Sequence, residues 1–364
     1  MQDDILRYSC QMALPDFTSD IQHKLSASRV LIVGVGGLGC PTAQYLTSTG
    51  VGTIGIADYD VVSISNLHRQ ILYNPSEAGQ PKALVACAQL RKQNPSINIV
   101  PHEIEISSAN ILELLDNYEI VVDCTDNFNT RYLLNDACVL KDKPLVYGAI
   151  YQYEGQVAVW NVNYGDGSRS PNYRDLFPSV NPSEIPNCSE GGVIPTIAGM
   201  IGCLQANEVI KIVTGIGDLL AGKILIFDAL TCTSRIVNLG HTSQVKINSL
   251  EPTEKASTIS VSQFSELQAD SLFQLIDVRT TEEREKFNIG GQHIPLDSLE
   301  NEYSKITITK PVVVYCASGR RSAEAVKILS RLMPLGKIMS LQGGMKAWQD
   351  MTYGWADTHI SPSS

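Results

Sequence analysis

The chain has 364 residues, 43% of them hydrophobic and 18% charged, and its 28 Lys and Arg against 38 Asp and Glu give a net charge of −10. That much apolar material supplies real cores and excludes wholesale disorder, and the length suits about two domains. The acidic balance disfavours nucleic acid and anionic membrane surfaces as partners, because both call for basic patches. No apolar run reads as long as the roughly 18 residues of a membrane span. The N-terminus, MQDDILRYSC, lacks a signal-peptide core, so a cytoplasmic protein is the expectation. Nine cysteines (Cys10, Cys40, Cys87, Cys124, Cys138, Cys188, Cys203, Cys232 and Cys316) are scattered without a C-x-x-C pair. This argues against a disulfide framework and for mostly buried apolar fillers, with one or two reactive thiols.

In chain order, RVLIVGVGGLG (29–39) reads as a short β-branched strand that ends in glycines. A helix is predicted from Leu38 to about Thr49, and a second strand at TIGIAD (53–58). Together they form a βαβ unit, which implies a parallel sheet. Further strands are predicted at INIVPHEI (97–104), EIVVDCTD (119–126) and PLVYGAI (144–150), with helices around 80–93 and 128–140. EGQVAVWNV (154–162), and KILIFDAL with TSRIVNL within 223–239, alternate and read as antiparallel strands. IPNCSEGGVIPTIAGMIG (185–202) is rich in proline and glycine and reads as a loop around Cys188. A polar, proline-bearing stretch at 241–258 reads as a linker. Beyond it, LFQLIDVR (272–279), PVVVYCASGRRS (311–322) and KIMSLQGGMKAW (337–348) read as strands running into loops or helices. The expected fold class is α/β: a Rossmann-like, mostly parallel sheet with an antiparallel extension in 1–240, then a smaller α/β domain in 259–355 and a tail at 356–364.

Gly34, Gly36 and Gly39 fit G-x-G-x-x-G between a strand and a helix. Glycines there permit a tight turn and let backbone N–H groups approach phosphate at a helix N-terminus. Asp58 ends the next strand, where a carboxylate accepts from ribose hydroxyls. A dinucleotide and ATP both fit those features. Arg69 in NLHRQ (66–70), Lys82 in GQPKA (79–83) and Asp126 in DCTDN (123–127) favour ATP. Two cations would hold a triphosphate and Asp126 would ligate Mg²⁺.

These motifs carry a family resemblance. GVGGLG (34–39), D-x-D-x-V-x-x-S-N-L-x-R-Q (58–70), GQPK and DCTDN closely resemble the MoeB/ThiF adenylyltransferases, relatives of the ubiquitin-activating enzymes, from about residue 4 to 239. The resemblance implies a homodimer that binds Mg-ATP and a small ubiquitin-fold sulfur carrier, whose C-terminal Gly-Gly tail is adenylated. It implies that Gly34, Gly36, Gly37, Gly39, Asp58, Ser65, Asn66, Arg69, Lys82, Asp126 and Asn127 bind the nucleotide, with Arg69, Lys82 and Asp126 serving the chemistry. It places a crossover-loop cysteine at Cys188, catalytic in some relatives.

In the C-terminal domain, Cys316 follows the strand VVVY and opens a tight loop before a helix. Backbone N–H groups and the helix N-terminus beneath such a loop favour an anionic sulfur, and Arg320 and Arg321 add positive charge. DVR (277–279), HIP (293–295), CASGRRS (316–322) and GGMKAW (343–348) resemble the rhodanese sulfurtransferases. This implies that Cys316 carries sulfane sulfur as a persulfide, cradled by Ala317, Ser318, Gly319, Arg320 and Arg321. The upstream donor would be thiosulfate or a cysteine desulfurase persulfide. The whole chain resembles the MoeZ-type fusions, which implies thiocarboxylate formation for molybdopterin, thiamine or related biosynthesis. Two other classes fit fewer of these residues: an NAD-binding oxidoreductase, and a non-catalytic scaffold for a ubiquitin-fold partner.

The chain departs from the family in two places. Asn172 and Asp175 stand where a first pair of zinc-binding cysteines would fall, and GHTSQVK (240–246) lacks the second pair, so no zinc site is expected. Arg7-Tyr8-Ser9-Cys10-Gln11 replaces the usual R-Y-x-R-Q, which puts Cys10 where relatives place an arginine that reaches the partner subunit's ATP. Restoring that finger with Cys10→Arg is expected to raise ATP–pyrophosphate exchange. An unchanged or lower rate would refute the missing-finger account.

Overall fold

A computed structural model describes residues 2–178, 192–251, 256–270, 273–307 and 309–353. The chain divides into two compact units, Met1–Thr253 and Glu254–Ser364.

The first unit opens with α1 (Gln2–Met12) and α2 (Ser19–Ala27), then alternates: β1 (Arg29–Val33), α3 (Gly39–Thr49), β2 (Thr53–Ala57), α4 (Lys82–Gln93), β3 (Asn98–His102), α5 (Ile111–Leu115), β4 (Ile120–Asp123), α6 (Phe128–Leu140) and β5 (Leu145–Tyr151). Next come β6 (Glu154–Trp160), α7 (Tyr173–Leu176), α8 (Pro195–Thr214), β7 (Lys223–Asp228) and β8 (Thr233–Asn238). The eight strands form one sheet in the order β3-β2-β1-β4-β5-β6-β7-β8. The β3-to-β5 part is parallel, and β6, β7 and β8 are antiparallel additions. This is the mostly parallel sheet with an antiparallel extension that the strand pattern predicts.

The sheet is covered on both faces, which is why its central strands read as continuous apolar runs. Along β1, Val30 and Ile32 enter one core with Leu46, Leu90 and Ile201, while Leu31 and Val33 enter the other with Leu115, Val121 and Leu134. Successive side chains alternate faces, so this one strand anchors both layers. Each such fully buried aliphatic side chain contributes roughly 1.5–3 kcal/mol.

Residues 195–202 are helix rather than the loop that their prolines and glycines suggested. Pro195 sits in the first turn of α8, where its missing N–H costs nothing. A Cβ on Gly202 would come within 2.5 Å of the Leu38 carbonyl oxygen, so glycine lets α8 lie directly on the start of α3. By length and composition α8 is apolar enough to cross a membrane, a run that the composition reading passed over. Ile197, Ile201, Gln205, Glu208 and Val209 are buried within the unit, as in a core helix.

The first part of the stretch read as a linker is pinned to this unit. Asp175 accepts from Asn172 N (2.8 Å), Ser243 Oγ (2.7 Å), Gln244 N (2.8 Å) and Val245 N (3.1 Å). Asn172 Nδ2 adds a 2.8 Å bond to Ser243 Oγ, and its Oδ1 accepts from Arg174 N and Asn135 Nδ2. These oxygens stand where the resemblance places zinc-binding sulfurs, and they are already engaged. The donor set does not fit zinc; a hydrogen-bonded clamp holds the two segments together.

The second unit holds β9 (Thr258–Ile259), α9 (Val261–Asp270), β10 (Gln274–Asp277), α10 (Thr281–Lys286), β11 (Gln292–His293), α11 (Leu299–Glu302), β12 (Val312–Tyr315), α12 (Arg320–Leu332), β13 (Ile338–Leu341) and α13 (Gly344–Tyr353). Its five strands are parallel, in the order β11-β10-β12-β13-β9. Central β12 is buried along its whole length.

Asp175→Ala removes the acceptor that four donors share. It is expected to destabilise the first unit by about 2 kcal/mol, since a charged acceptor is worth roughly 1.5–3 kcal/mol. Amide exchange at Gln244 and Val245 in the full chain should accelerate, and unchanged protection there would contradict the clamp.

Candidate nucleotide and sulfur sites

In a doubly wound sheet the ligand crevice opens where the chain reverses direction across the sheet, at the carboxyl ends of the strands. Here that point lies between β1 and β4, and the sequence places its charged motifs there. Gly34 has φ +84°, and a Cβ on it would lie 2.9 Å from the Cys124 carbonyl oxygen. A Cβ on Gly39 would lie 2.1 Å from the Gly34 carbonyl oxygen. Only glycine fits either place, so the turn after β1 closes tightly against the end of β4. Asp58 braces it: Oδ2 accepts from Val35 N at 2.8 Å and Oδ1 from Asp60 N at 2.8 Å. Burial pushes the Asp58 carboxyl up, while Lys82 and these two backbone donors pull against it.

The cations are held in place rather than loose. Lys82, buried in the first turn of α4, pairs with Asp60 Oδ2 at 3.0 Å. Arg69 Nη2 donates to Asn66 Oδ1 at 3.1 Å, and the Arg69 Cδ lies 3.5 Å from where a Gly37 Cβ would be. Ser65 exchanges a 2.9 Å hydrogen bond with Ser63. Asn127 caps α6 through Thr130 N at 2.9 Å. Asp126, just before that cap, is exposed.

The sequence reading missed the groups beneath the β4 loop. Asp123 is fully buried and accepts from Thr125 N (2.9 Å) and Thr125 Oγ1 (2.6 Å). Arg131 donates from Nη2 to the Thr125 carbonyl at 2.8 Å and from Nη1 to Tyr147 Oη at 3.2 Å, and its guanidinium lies over the Tyr147 ring. Gln205 Nε2 donates to the Asp123 carbonyl at 2.8 Å. Burial raises the Asp123 carboxyl, with Arg131 and Thr125 opposing. One signal was legible: Arg131 shares the buried stripe of α6 with Leu134, Asn135 and Cys138, and a lone cation on such a stripe has a job.

Burial pushes the Cys40 and Cys87 thiols up to about 12 and raises Cys124 and Cys138 as well, so all four are inert fillers. Cys10 and Cys232 are exposed and Cys203 is half-buried. Cys188 lies outside the described residues. Among the described residues no group of three or more His, Cys, Asp or Glu gathers as a metal cage.

In the second unit Cys316 follows β12 and is buried. Gly319 N donates to its Sγ at 3.1 Å, and Ser322 Oγ lies 3.6 Å away. Ser322 is steadied by a 2.7 Å bond with Ser340 Oγ. Gly319 adopts φ +92° as α12 begins, which turns its N–H back onto the sulfur. The first turns of α13 grip the same loop: Met345 N donates to the Cys316 carbonyl at 2.8 Å and Lys346 N to that of Ala317 at 3.0 Å. Ser318 is exposed at the tip.

Both loop arginines lie at the start of α12, and one is visibly engaged. Arg321 is committed to Glu283 in a two-pronged pair at 2.7 and 2.6 Å. Arg320 sits beside it in the first turn of α12. The Arg321 bonds, helped by the Thr280 cap and opposed by burial, hold the Glu283 carboxyl down at about 2. Buried Asp277 takes Arg279 at 2.9 and 2.7 Å and Arg284 at 3.3 Å, and Arg279 lies over Tyr315, the residue before Cys316. The DVR motif therefore ties the end of β10 to the end of β12.

A phosphate-type turn with fixed cations, together with a strand-end sulfur loop on its own sheet, defines a nucleotide-using enzyme that also handles sulfur. Residues 8–247 match the ThiF family and residues 260–351 the rhodanese-like domain. The chain belongs to the ThiF family and carries a rhodanese-like domain after it. It is 38% identical over 397 residues to the adenylyltransferase and sulfurtransferase MOCS3 of Sus scrofa, covering 95% of this chain and 86% of that one. It is 38% identical over 367 residues to the probable adenylyltransferase/sulfurtransferase MoeZ of Mycobacterium tuberculosis, covering 95% and 93%. The fold is also that of Escherichia coli MccB, solved with ATP, at a TM-score of 0.57 and 22% identity over 65% of this chain and 72% of that one. The chain is an adenylyltransferase and sulfurtransferase.

Because its folded pKa is depressed, Glu283 contributes stability that is full above the ordinary carboxylate range and lost as pH falls toward about 2. The pair is partly exposed, so solvent screening leaves about 1 kcal/mol. Between about pH 5 and about pH 2.5, Glu283→Gln should flatten the acid loss of stability in the second unit by that amount. Thermal unfolding of the full chain at each pH measures it.

Proposed function

We propose that this enzyme adenylates the C-terminal glycine of a ubiquitin-fold sulfur carrier ending in Gly-Gly, and then passes sulfur from Cys316 to the activated tail. The reading rests on one observation above others: a glycine turn braced by Asp58 has Lys82 and Arg69 fixed beside it. A carboxylate is a poor electrophile. Its attack on the α-phosphate of ATP forms an acyl–phosphate bond and releases pyrophosphate with the bonding electrons. Two anions must meet for this, and Arg69 and Lys82 offset their repulsion and the charge building on the leaving group. Mg²⁺, when bound, would neutralise phosphate charge, and the exposed carboxylate of Asp126 suits a hard cation. Asp58 would accept from the ribose while bracing the turn, and Ser65, Asn66 and Asn127 would line the same crevice.

In the second step the outer sulfur of a Cys316 persulfide attacks the acyl carbon and AMP leaves. The acyl disulfide so formed is cleaved by a thiolate, which frees the carrier thiocarboxylate and leaves a disulfide for an external thiol to reduce. Cys188 is the candidate for that thiolate. The Gly319 N–H at 3.1 Å and the Ser322 hydroxyl serve an anionic sulfur in this loop. Thiosulfate or a desulfurase persulfide would reload it. The acidic, dimeric enzyme would work in the cytoplasm and supply molybdopterin or thiamine biosynthesis.

ATP–pyrophosphate exchange should depend on a Gly-Gly-ended carrier and fall by about 10²–10³ in Lys82→Ala. Cys316→Ser should leave that exchange intact, yet abolish thiosulfate-to-cyanide transfer and the oxygen-to-sulfur mass increase on the carrier. Exchange without a carrier, or thiocarboxylate formed by the Cys316 variant, would overturn the scheme.

A further inference from the structure

Gln70 is 95% shielded from solvent, at 5% exposure, yet its Oε1 has no hydrogen-bond partner among the described residues. Leaving an amide oxygen buried and unpaired costs folding free energy. Its position accounts for it. The carboxamide nitrogen lies 3.3 Å from where a Cβ on Gly36 would be, in the middle of the glycine turn. The preceding residue, Arg69, covers the neighbouring Gly37 in the same way. Consecutive side chains thus roof consecutive glycines, one charged and one neutral. The Gln70 backbone is fixed from both sides: its N–H donates to Asn66 O at 3.0 Å, and its carbonyl accepts from Tyr73 N at 3.2 Å. Tyr73 in turn donates from its hydroxyl to the Val35 carbonyl, inside the turn, at 2.8 Å. The Gln70 backbone is therefore fixed beside the glycine turn, and its carboxamide lies against Gly36.

We propose that the Gln70 carboxamide is a ligand-contacting group of this turn, which donates an N–H to an oxygen of the phosphate chain. The inference rests on the ATP reading of the turn. A neutral donor suits the place. Arg69 and Lys82 already supply positive charge, and an amide adds direction without adding a third, repelling cation beside them. The unpaired oxygen is the folding cost of keeping that donor ready, as expected where a local packing rule is broken for function.

The test compares full-length wild type with Gln70→Met and Gln70→Glu, using calorimetric binding of Mg-ATP and thermal unfolding without ligand. Methionine keeps the length and removes both the donor and the unpaired oxygen. Gln70→Met should bind Mg-ATP about tenfold or more weakly, the loss of one hydrogen bond to a charged group, while melting no lower than wild type. Gln70→Glu sets a carboxylate against phosphate and should bind more weakly still. A Gln70→Met protein that binds within twofold of wild type, or one that melts lower, would make the amide a folding group and overturn the proposal. Gln70→Glu carries the same decision if the methionine variant does not fold. A wild type that takes up no Mg-ATP would instead sink the ATP reading itself.

Discussion

The close approach of two strand ends governs the first unit. The turn after β1 lies so near the Cys124 carbonyl that Gly34 admits no Cβ, and it folds so tightly that the Gly34 carbonyl leaves no room for one on Gly39. That contact sets the backbone N–H groups of the turn and the Asp126–Asn127 loop on opposite lips of one crevice. Buried Asp123, Arg131 and Gln205 support the β4 lip from below, and Asp58 braces the β1 lip through Val35 N. A larger residue in the turn would part the lips, and every charged group around them would lose its registration. Sub-ångström placement matters here because positioning and fixed charge are all that phosphoryl chemistry asks of the protein.

Each site holds at least one cation with a carboxylate. Lys82 rests on Asp60, Arg321 on Glu283, and Arg279 on Asp277. Long cationic side chains lose much rotamer freedom when ordered, so a prior ion pair leaves less ordering for ligand binding to supply. The same pairing changes the electrostatics of the sulfur loop. Arg321 is paired with Glu283, and the Gly319 N–H and the Ser322 hydroxyl donate to Cys316 Sγ.

The fold was largely legible because its strands are short β-branched runs that end in glycine or charge, and because βαβ alternation leaves few topologies open. Legibility failed where composition and context conflict. Pro195, Gly199 and Gly202 look like loop residues, but a first-turn proline and a glycine packed on the Leu38 carbonyl belong to a core helix. The polar stretch after residue 240 looks like a free linker, but Ser243, Gln244 and Val245 meet Asp175 about 70 positions earlier. A hydrogen bond between residues so far apart leaves no periodicity to read.

The sequence by itself determined the two α/β units, the glycine turn, the inventory of Asp58, Arg69, Lys82 and Asp126, and the sulfur loop at Cys316. Each is a local pattern, written within a few consecutive residues. Tertiary structure alone decided which charges are already paired, which polar groups lie buried beneath the loops, and where Gln70 points. Those depend on residues that the chain brings together only after its sheets have formed, and pairwise contact across such distances has no signature in one sequence read alone.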